Sequence, residues 1–314
     1  MNESSDNKLL VISEIGIGDA LTLTPALRGL RKQHPGISIQ MFAPGIFSLK
    51  ENFCELAEIL DHRELAQASL EAKHAWLRGQ GFRWVWNTEN EKSAWRQVLS
   101  MANNPAWISA PPHRTWPRRP VLILRQQQFQ QLFPALAPEG DPLLVLTAAQ
   151  EDERRRFRAR FAQGQRLIAL QPTANDPTKI WPAEKFCELA SRLAAPPQTT
   201  VVLFLDAAAR KTFNETVLRP PQDLITLTEP LGSAIAKLAA CDLFIGNDSG
   251  FYHLAFALGL QVVGIYRSRR NAQVWSYRSP RSRGVYFYLP SMVRRHWGRY
   301  LSVHRVMRAV QSLI

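Results

Sequence analysis

Residues 242–259 read DLFIGNDSGFYHLAFALG, and the order of residue types in this stretch decides the fold. The apolar run 243–246 has the composition of a strand buried on both faces. It leads straight into Asn247-Asp248-Ser249-Gly250, residues that end strands and begin helices. A helix is expected over 250–258 and a second apolar strand over 262–266. Strand, turn, helix and strand form a βαβ unit, which requires a parallel sheet. At the turn, Asp248 or Ser249 can cap the helix. The free N–H groups of Ser249, Gly250 and Phe251 make an anion site. His253 follows on the first turn, where a packed or capping histidine and a catalytic one are both compatible with the sequence.

The same alternation continues outward. Strands are expected at 167–171, 199–205 and 224–227, with helices at 182–193 and 233–240. Phe186, Leu189, Ala190 and Leu193 share one face of the 182–193 helix. Between the first of these strands and that helix lies QPTANDPTKIW, residues 171–181. A polar loop in this position binds phosphate through amides and hydroxyls. Lys179 either supplies charge there or is simply exposed. The chain start repeats the pattern: LLVIS at 9–13 is a strand and EIGIGD at 14–19 a glycine-rich turn. A helix follows with Leu23, Leu27 and Leu30 on one face, Thr24 as N-cap and Pro25 as first helical residue. Further strands are expected at 37–43, 83–87 and 107–110, and a helix at 52–60. PALAPEGDP at 134–142 reads as a linker. An amphipathic helix is expected at 302–313 through Val303, Val306, Val310 and Leu313. No internal repeat or low-complexity segment is present.

With 314 residues, the chain suits two domains of about 150 residues each. The expected division is 1–140, 141–300 and a terminal helix at 301–314. In open α/β sheets, ligands bind outside the carboxyl ends of the strands. The cleft between the two domains is therefore the expected site.

Gly16, Gly18 and Asp19 sit just after the first strand. Leu21 occupies the place of the third glycine of a dinucleotide fingerprint, and no acid about 20 residues on completes it. A nicotinamide-dependent oxidoreductase thus lacks its signature. The two glycines allow backbone amides to approach a ligand. Asp19 either caps the helix, where the dipole favours a carboxylate, or acts as a general base.

The chain carries 39 basic and 26 acidic residues, a net charge of +13. No Asp or Glu follows Asp248, whereas eleven arginines and no lysine do. Arginine grips phosphate with a planar fork. Nucleic acid, an anionic membrane leaflet, a phosphorylated substrate and a merely solvated basic surface all fit this charge. RRRFRAR at 154–160 reads as the exposed face of a linker or helix. Three scattered cysteines exclude a disulfide framework and a zinc ribbon. The polar start lacks a signal peptide, and no apolar run reaches the ~20 residues of a membrane span. A soluble protein of a reducing cytoplasm is expected.

Three segments together resemble glycosyltransferase family 9, the bacterial heptosyltransferases of lipopolysaccharide core synthesis. They are Gly18-Asp19 with Pro25 and Leu30; Lys179-Ile180-Trp181-Pro182 with Phe186; and Gly246 to His253 with Ala257 and Gly259. They occur in the family's order and at its spacing over nearly the whole chain. The resemblance implies a GT-B architecture, an α/β fold of two Rossmann-like doubly wound parallel-sheet domains facing an interdomain cleft. It implies inverting, metal-independent transfer from a nucleotide sugar, usually ADP-heptose, with no cofactor beyond that co-substrate. Asp19 matches the family's general base on the acceptor hydroxyl, with Gly16 and Gly18 on the acceptor side. Thr173 and Lys179 match diphosphate contacts, Asp248 a donor-sugar contact, and Ser249 and Gly250 phosphate contacts. His253 falls within the same donor motif. The arginine-rich end then suits a phosphorylated or acidic glycolipid at the inner membrane, and nucleic acid is not an expected partner. The terminal helix is expected to pack back on the first domain. The chain departs from the family in two places. Tyr266-Arg267-Ser268-Arg269-Arg270 replaces an F-G-P-T-like loop, and the nearest match to a ribose-binding acid is Asp206. A divergent non-catalytic member and a basic nucleic-acid-binding protein are the alternative readings.

Overall fold

The computed structural model describes residues 7–14, 16–61, 63–89, 93–110, 119–194, 199–205, 224–288 and 296–314. Asp206, Arg294 and Arg295 lie outside the described residues. The chain forms two compact units, Met1–Val145 and Leu146–Ile314.

The first unit is built on five parallel strands: β1 (Lys8–Ile12), β2 (Ser38–Phe42), β3 (Glu58–Ile59), β4 (Trp84–Asn87) and β5 (Trp107–Ser109). Their order is β3-β2-β1-β4-β5. Leu9, Leu10, Val11 and Ile12 have no solvent exposure, as a central strand covered on both faces requires. The helices are α1 (Ile17–Leu21), α2 (Thr24–Gln33), α3 (Arg63–Gln67), α4 (Leu70–Gly79), α5 (Ala94–Ala102) and α6 (Val121–Phe129). On one side of the sheet Leu10, Ile12 and Val85 pack with Leu77, Trp95, Val98 and Leu99.

Two local expectations are corrected here. Residues 52–60 are not a helix. A 3-10 run, Pro44–Phe53, buries Ile46, Leu49 and Phe53, and the chain then pairs as a strand, Met41 with Ile59. Pro44 and Gly45 start this tighter turn earlier than the apolar spacing suggested. Thr24 is not the N-cap of α2; Leu23 is. The Thr24 hydroxyl instead donates to Leu21 O (2.9 Å) and accepts from Leu143 N (3.1 Å). That bond, with Asn52 Nδ2 to Val145 O (2.7 Å), ties the linker residues to the first unit.

The second unit contains α7 (Ala148–Phe161), β6 (Arg166–Gln171), α8 (Ala183–Ala194), β7 (Thr199–Phe204), β8 (Ile225–Leu227), α9 (Leu231–Ala239) and β9 (Leu243–Asn247). It continues with α10 (Gly250–Ala257), β10 (Gln261–Tyr266), α11 (Arg269–Trp275), β11 (Ser282–Tyr286), α12 (Trp297–Tyr300) and α13 (Val303–Gln311). The parallel sheet runs β11-β10-β9-β6-β7-β8. Both sheets begin at a middle strand, wind to one edge, then cross back to fill the other. The winding reverses between β1 and β4 in the first sheet and between β6 and β9 in the second. Both are Rossmann-like, and each reversal is a place where such sheets bind ligands.

The apolar face of α13, formed by Val303, Val306 and Val310, is buried in the second unit's own core beside Leu189, Leu193 and Val263. It packs on α8, β10 and β11. Each valine contributes about 1.5–3 kcal/mol by burial. The sequence reading also passed over α11 and β11, hidden in arginine-rich chain. RRRFRAR is half of a capped helix, α7. Arg154, Arg155 and Arg156 each pair with an acid three residues earlier, and Arg158 with Asp242. The run is thus largely neutralised by its own neighbours. Among the described residues no helix is long and apolar enough to cross a membrane.

Candidate functional site

Each winding reversal gathers chemistry-bearing side chains. In the first unit β1 ends at Ile12 and the chain turns through Gly16 into α1. Gly16 has φ 175°, an extended backbone that any residue adopts, and a side chain there would meet nothing within 4 Å. Gly18 is buried within α1. No side chain caps α1; the Asp19 carboxylate turns instead to Arg125, 3.1 Å from its Nη2. Asp19 is thus a partnered carboxylate and not a helix cap.

Sequence reasoning missed Arg125, which comes from α6, 106 residues away. Its side chain is 2% exposed, against 16% for Asp19. Its Nη1 donates to Thr88 O (2.7 Å) at the end of β4 and to Gln128 Oε1 (3.3 Å). Burial pulls its guanidinium down, and the charges of Asp19 and Glu89 pull it back up. The nearby strand ends carry two more acids. Glu89 is buried and accepts from Glu14 N. Burial pushes the Glu14 carboxyl up, opposed by a hydrogen bond from Trp95 and the charge of Lys73. The result is one carboxylate fixed in place by a buried guanidinium and partly open to solvent.

In the second unit the loops after β6 and β9 meet. Gln171 joins them: its Nε2 donates to Thr173 Oγ1 (2.6 Å), and its Oε1 accepts from Ser249 Oγ (3.0 Å). Ser249 is the N-cap residue of α10, yet no side chain caps that helix. The first amides of α10 therefore remain available to an anion. Lys179 ends the 3-10 turn Pro177–Lys179, which is capped by Asp176. Its Nζ lies 3.0 Å from Asp248 Oδ2. The Asp248 side chain is 4% exposed. Burial pushes its carboxyl up, while Lys179 and a hydrogen bond with Asn271 pull it down.

The loop bearing Lys179 is clamped from behind. Trp181 N donates to Asn247 Oδ1 (3.0 Å) and the Trp181 indole to Leu301 O (3.1 Å). The Trp297 indole donates to Thr178 O (3.0 Å). His253 sits differently from the other candidates. It is buried, its Nδ1 lies 2.6 Å from the Tyr277 hydroxyl, and its ring packs edge-on to Trp275. Burial and the charge of Lys179 push its imidazole down to about 3, so it is neutral at physiological pH.

Thr173, Lys179, Asp248, Ser249 and Gly250 thus converge at the carboxyl ends of β6 and β9 in the second unit, and Asp19 with Gly16 and Gly18 follows the carboxyl end of β1 in the first. Among the described residues no three His, Cys, Asp or Glu side chains are grouped to hold a metal. Several late arginines serve structure: Arg281 donates to Phe256 O (3.3 Å) and Leu260 O (3.1 Å) at the end of α10.

Residues 127–283, half of the chain, match the family described as "Glycosyltransferase family 9 (heptosyltransferase)". The fold is similar to that of a glycosyl transferase family 9 protein from Veillonella parvula, with TM-score 0.79, 18% identity and coverage of 100% of this chain and 98% of that one. It is also similar to the E. coli ADP-heptose LPS heptosyltransferase II, with TM-score 0.74, 19% identity and 98% coverage of each chain. A third likeness is to the E. coli heptosyltransferase WaaC with ADP, at TM-score 0.68, 14% identity and coverage of 98% and 100%.

Proposed function

The chain belongs to glycosyltransferase family 9, and on that footing we propose a metal-independent, inverting transfer of a heptose-like sugar. The donor is a nucleotide diphosphate sugar, ADP-heptose, and the acceptor a lipopolysaccharide core or other acidic glycan. The observation that carries this reading is the Lys179–Asp248 pair beside the uncapped start of α10. A lysine and a set of free amide dipoles meet the charge that develops on a departing diphosphate. Binding of ADP by a relative of the same fold supports the choice of nucleotide.

In this mechanism the Ser249 and Gly250 amides, Lys179 and the Thr173 hydroxyl hold the diphosphate. Asp248 accepts from hydroxyls of the donor sugar, and His253 lends an uncharged ring to the same half-site. Asp19 removes the proton of the acceptor hydroxyl, with the Gly16 and Gly18 backbone alongside. That oxygen attacks the anomeric carbon from the face opposite the diphosphate. The bond from that carbon to the diphosphate oxygen breaks, and its electron pair leaves with the phosphate. No cofactor takes part beyond the nucleotide sugar. A cytoplasmic enzyme working at the inner membrane surface suits the arginine-rich segment after Asp248, with the acceptor's phosphates as the anionic partner.

Calorimetric titration with ADP, GDP and UDP tests the donor half. Saturable binding of ADP in preference to the others, weakened about tenfold or more in Lys179→Ala, is the expected result. Binding of none of the three would overturn the reading.

A further inference from the structure

Arg267 opens the loop between β10 and α11, and the mechanism above does not use it. Its Nη1 donates to the Thr178 hydroxyl. It therefore reaches from one loop onto the 3-10 turn that carries Lys179. Two cations from two different loops meet beyond the carboxyl ends of β6 and β10.

Their charges are matched very differently. Lys179 is paired at 3.0 Å with the buried Asp248, so part of its charge is offset before a ligand arrives. Arg267 is half-buried. Its hydrogen-bond partner is a neutral hydroxyl, and among the described residues it forms no ion pair. Asp248 and Asp176 both feel its field, but Asp248 is already paired with Lys179, and one oxygen of Asp176 already accepts from Thr178 N (2.9 Å) and Thr178 Oγ1 (2.7 Å). Most of the five N–H donors of this guanidinium remain for a ligand. The loop beneath it is rigidly built. Ser268 Oγ accepts from Asn271 N (3.2 Å) and donates to Asn271 Oδ1 (2.8 Å), and Asn271 in turn bonds Asp248.

A nucleoside diphosphate carries more negative charge than the amides of α10 and an already paired lysine can offset. A planar guanidinium with free donors supplies what is missing, in the two-pronged geometry that phosphate prefers. We infer that Arg267 is a second phosphate-binding cation of the donor half-site, and that it makes the site select diphosphate over monophosphate. The inference rests on the donor-site reading above.

The test is calorimetric titration of the full chain and its Arg267→Gln, Arg267→Ala and Lys179→Ala variants. The probes are ADP, AMP, inorganic pyrophosphate and inorganic phosphate; the inorganic pair removes any dependence on the base. Glutamine keeps a donor for Thr178 and removes the charge, so it separates charge from loop integrity. Arg267→Gln should weaken ADP and pyrophosphate about tenfold or more, while AMP and phosphate change by less than about threefold and the melting temperature holds. Unchanged ADP and pyrophosphate affinity in Arg267→Gln and Arg267→Ala, alongside a loss in Lys179→Ala, would overturn the role of Arg267 alone. An equal loss for mono- and diphosphate would overturn the selectivity. Failure of the unaltered protein to bind either diphosphate would remove the donor-site reading and this inference with it.

Discussion

Asp248 is the residue on which binding and stability pull in opposite directions. Its carboxyl is held above the ordinary 3.8 chiefly by burial. The folded chain therefore binds this proton more tightly than the unfolded chain. The stability it contributes is complete below 3.8 and is lost as pH rises through the raised folded value. At neutral pH the buried carboxylate is a cost, partly offset by Lys179. Asp248→Asn should raise the melting temperature at pH 7 by a few degrees, about 1 kcal/mol for a chain of this size. It should also flatten the stability slope as pH rises above the ordinary 3.8, while donor binding falls. Thermal unfolding across that range, beside titration with ADP, checks both halves. A lower melting temperature with an unchanged slope would show that Lys179 had more than compensated burial. At this scale Asp19, Lys179, Asp248 and Ser249 were legible because each lies in a short motif. Arg125 was not, because its partner is 106 residues away and it sits in an otherwise apolar stretch, VLILR. Arg267 could not be told from the ten other arginines that follow Asp248.

Elements were legible where one apolar run is buried whole. β1, β6, β9 and β10 are such runs, and their positions followed from composition. The 52–60 segment was not, because Phe53, Leu56 and Leu60 have a helical spacing that proline and glycine upstream redirect into a 3-10 turn. β11 was hidden because SRGVY carries an arginine and a glycine; it is an edge strand and needs less apolar cover. Within the elements, Gly246 on β9 is fixed by packing. A β-carbon there would lie 2.6 Å from the Phe244 ring and 3.0 Å from Gln171 O. Gly246→Ala should cost about 1–3 kcal/mol and weaken donor binding by displacing Gln171, which bridges Thr173 and Ser249. Chemical denaturation and nucleotide titration of the same variant measure the two effects. Normal stability would mean that the Phe244 ring moves aside freely.

The two units share one winding pattern, and each places its charged groups at the reversal of strand order. Two features belong to the whole chain and were only half visible beforehand. The net charge of +13 suggested a broad basic surface, yet the run at 154–160 is paired within its own helix and Arg281 and Arg283 bond main-chain oxygens. The terminal helix showed its apolar face in the sequence but not that this face enters the second unit's own core. Division of labour between the units, a carboxylate on the first and an anion site on the second, is the central claim. Asp19→Asn tests it most directly, by measuring ADP affinity and the rate of sugar transfer from ADP-heptose to a heptose-deficient lipopolysaccharide core in the same preparation. ADP affinity should stay within about threefold, and transfer should fall by at least about a hundredfold. Transfer within tenfold of the unaltered protein would contradict Asp19 as the base.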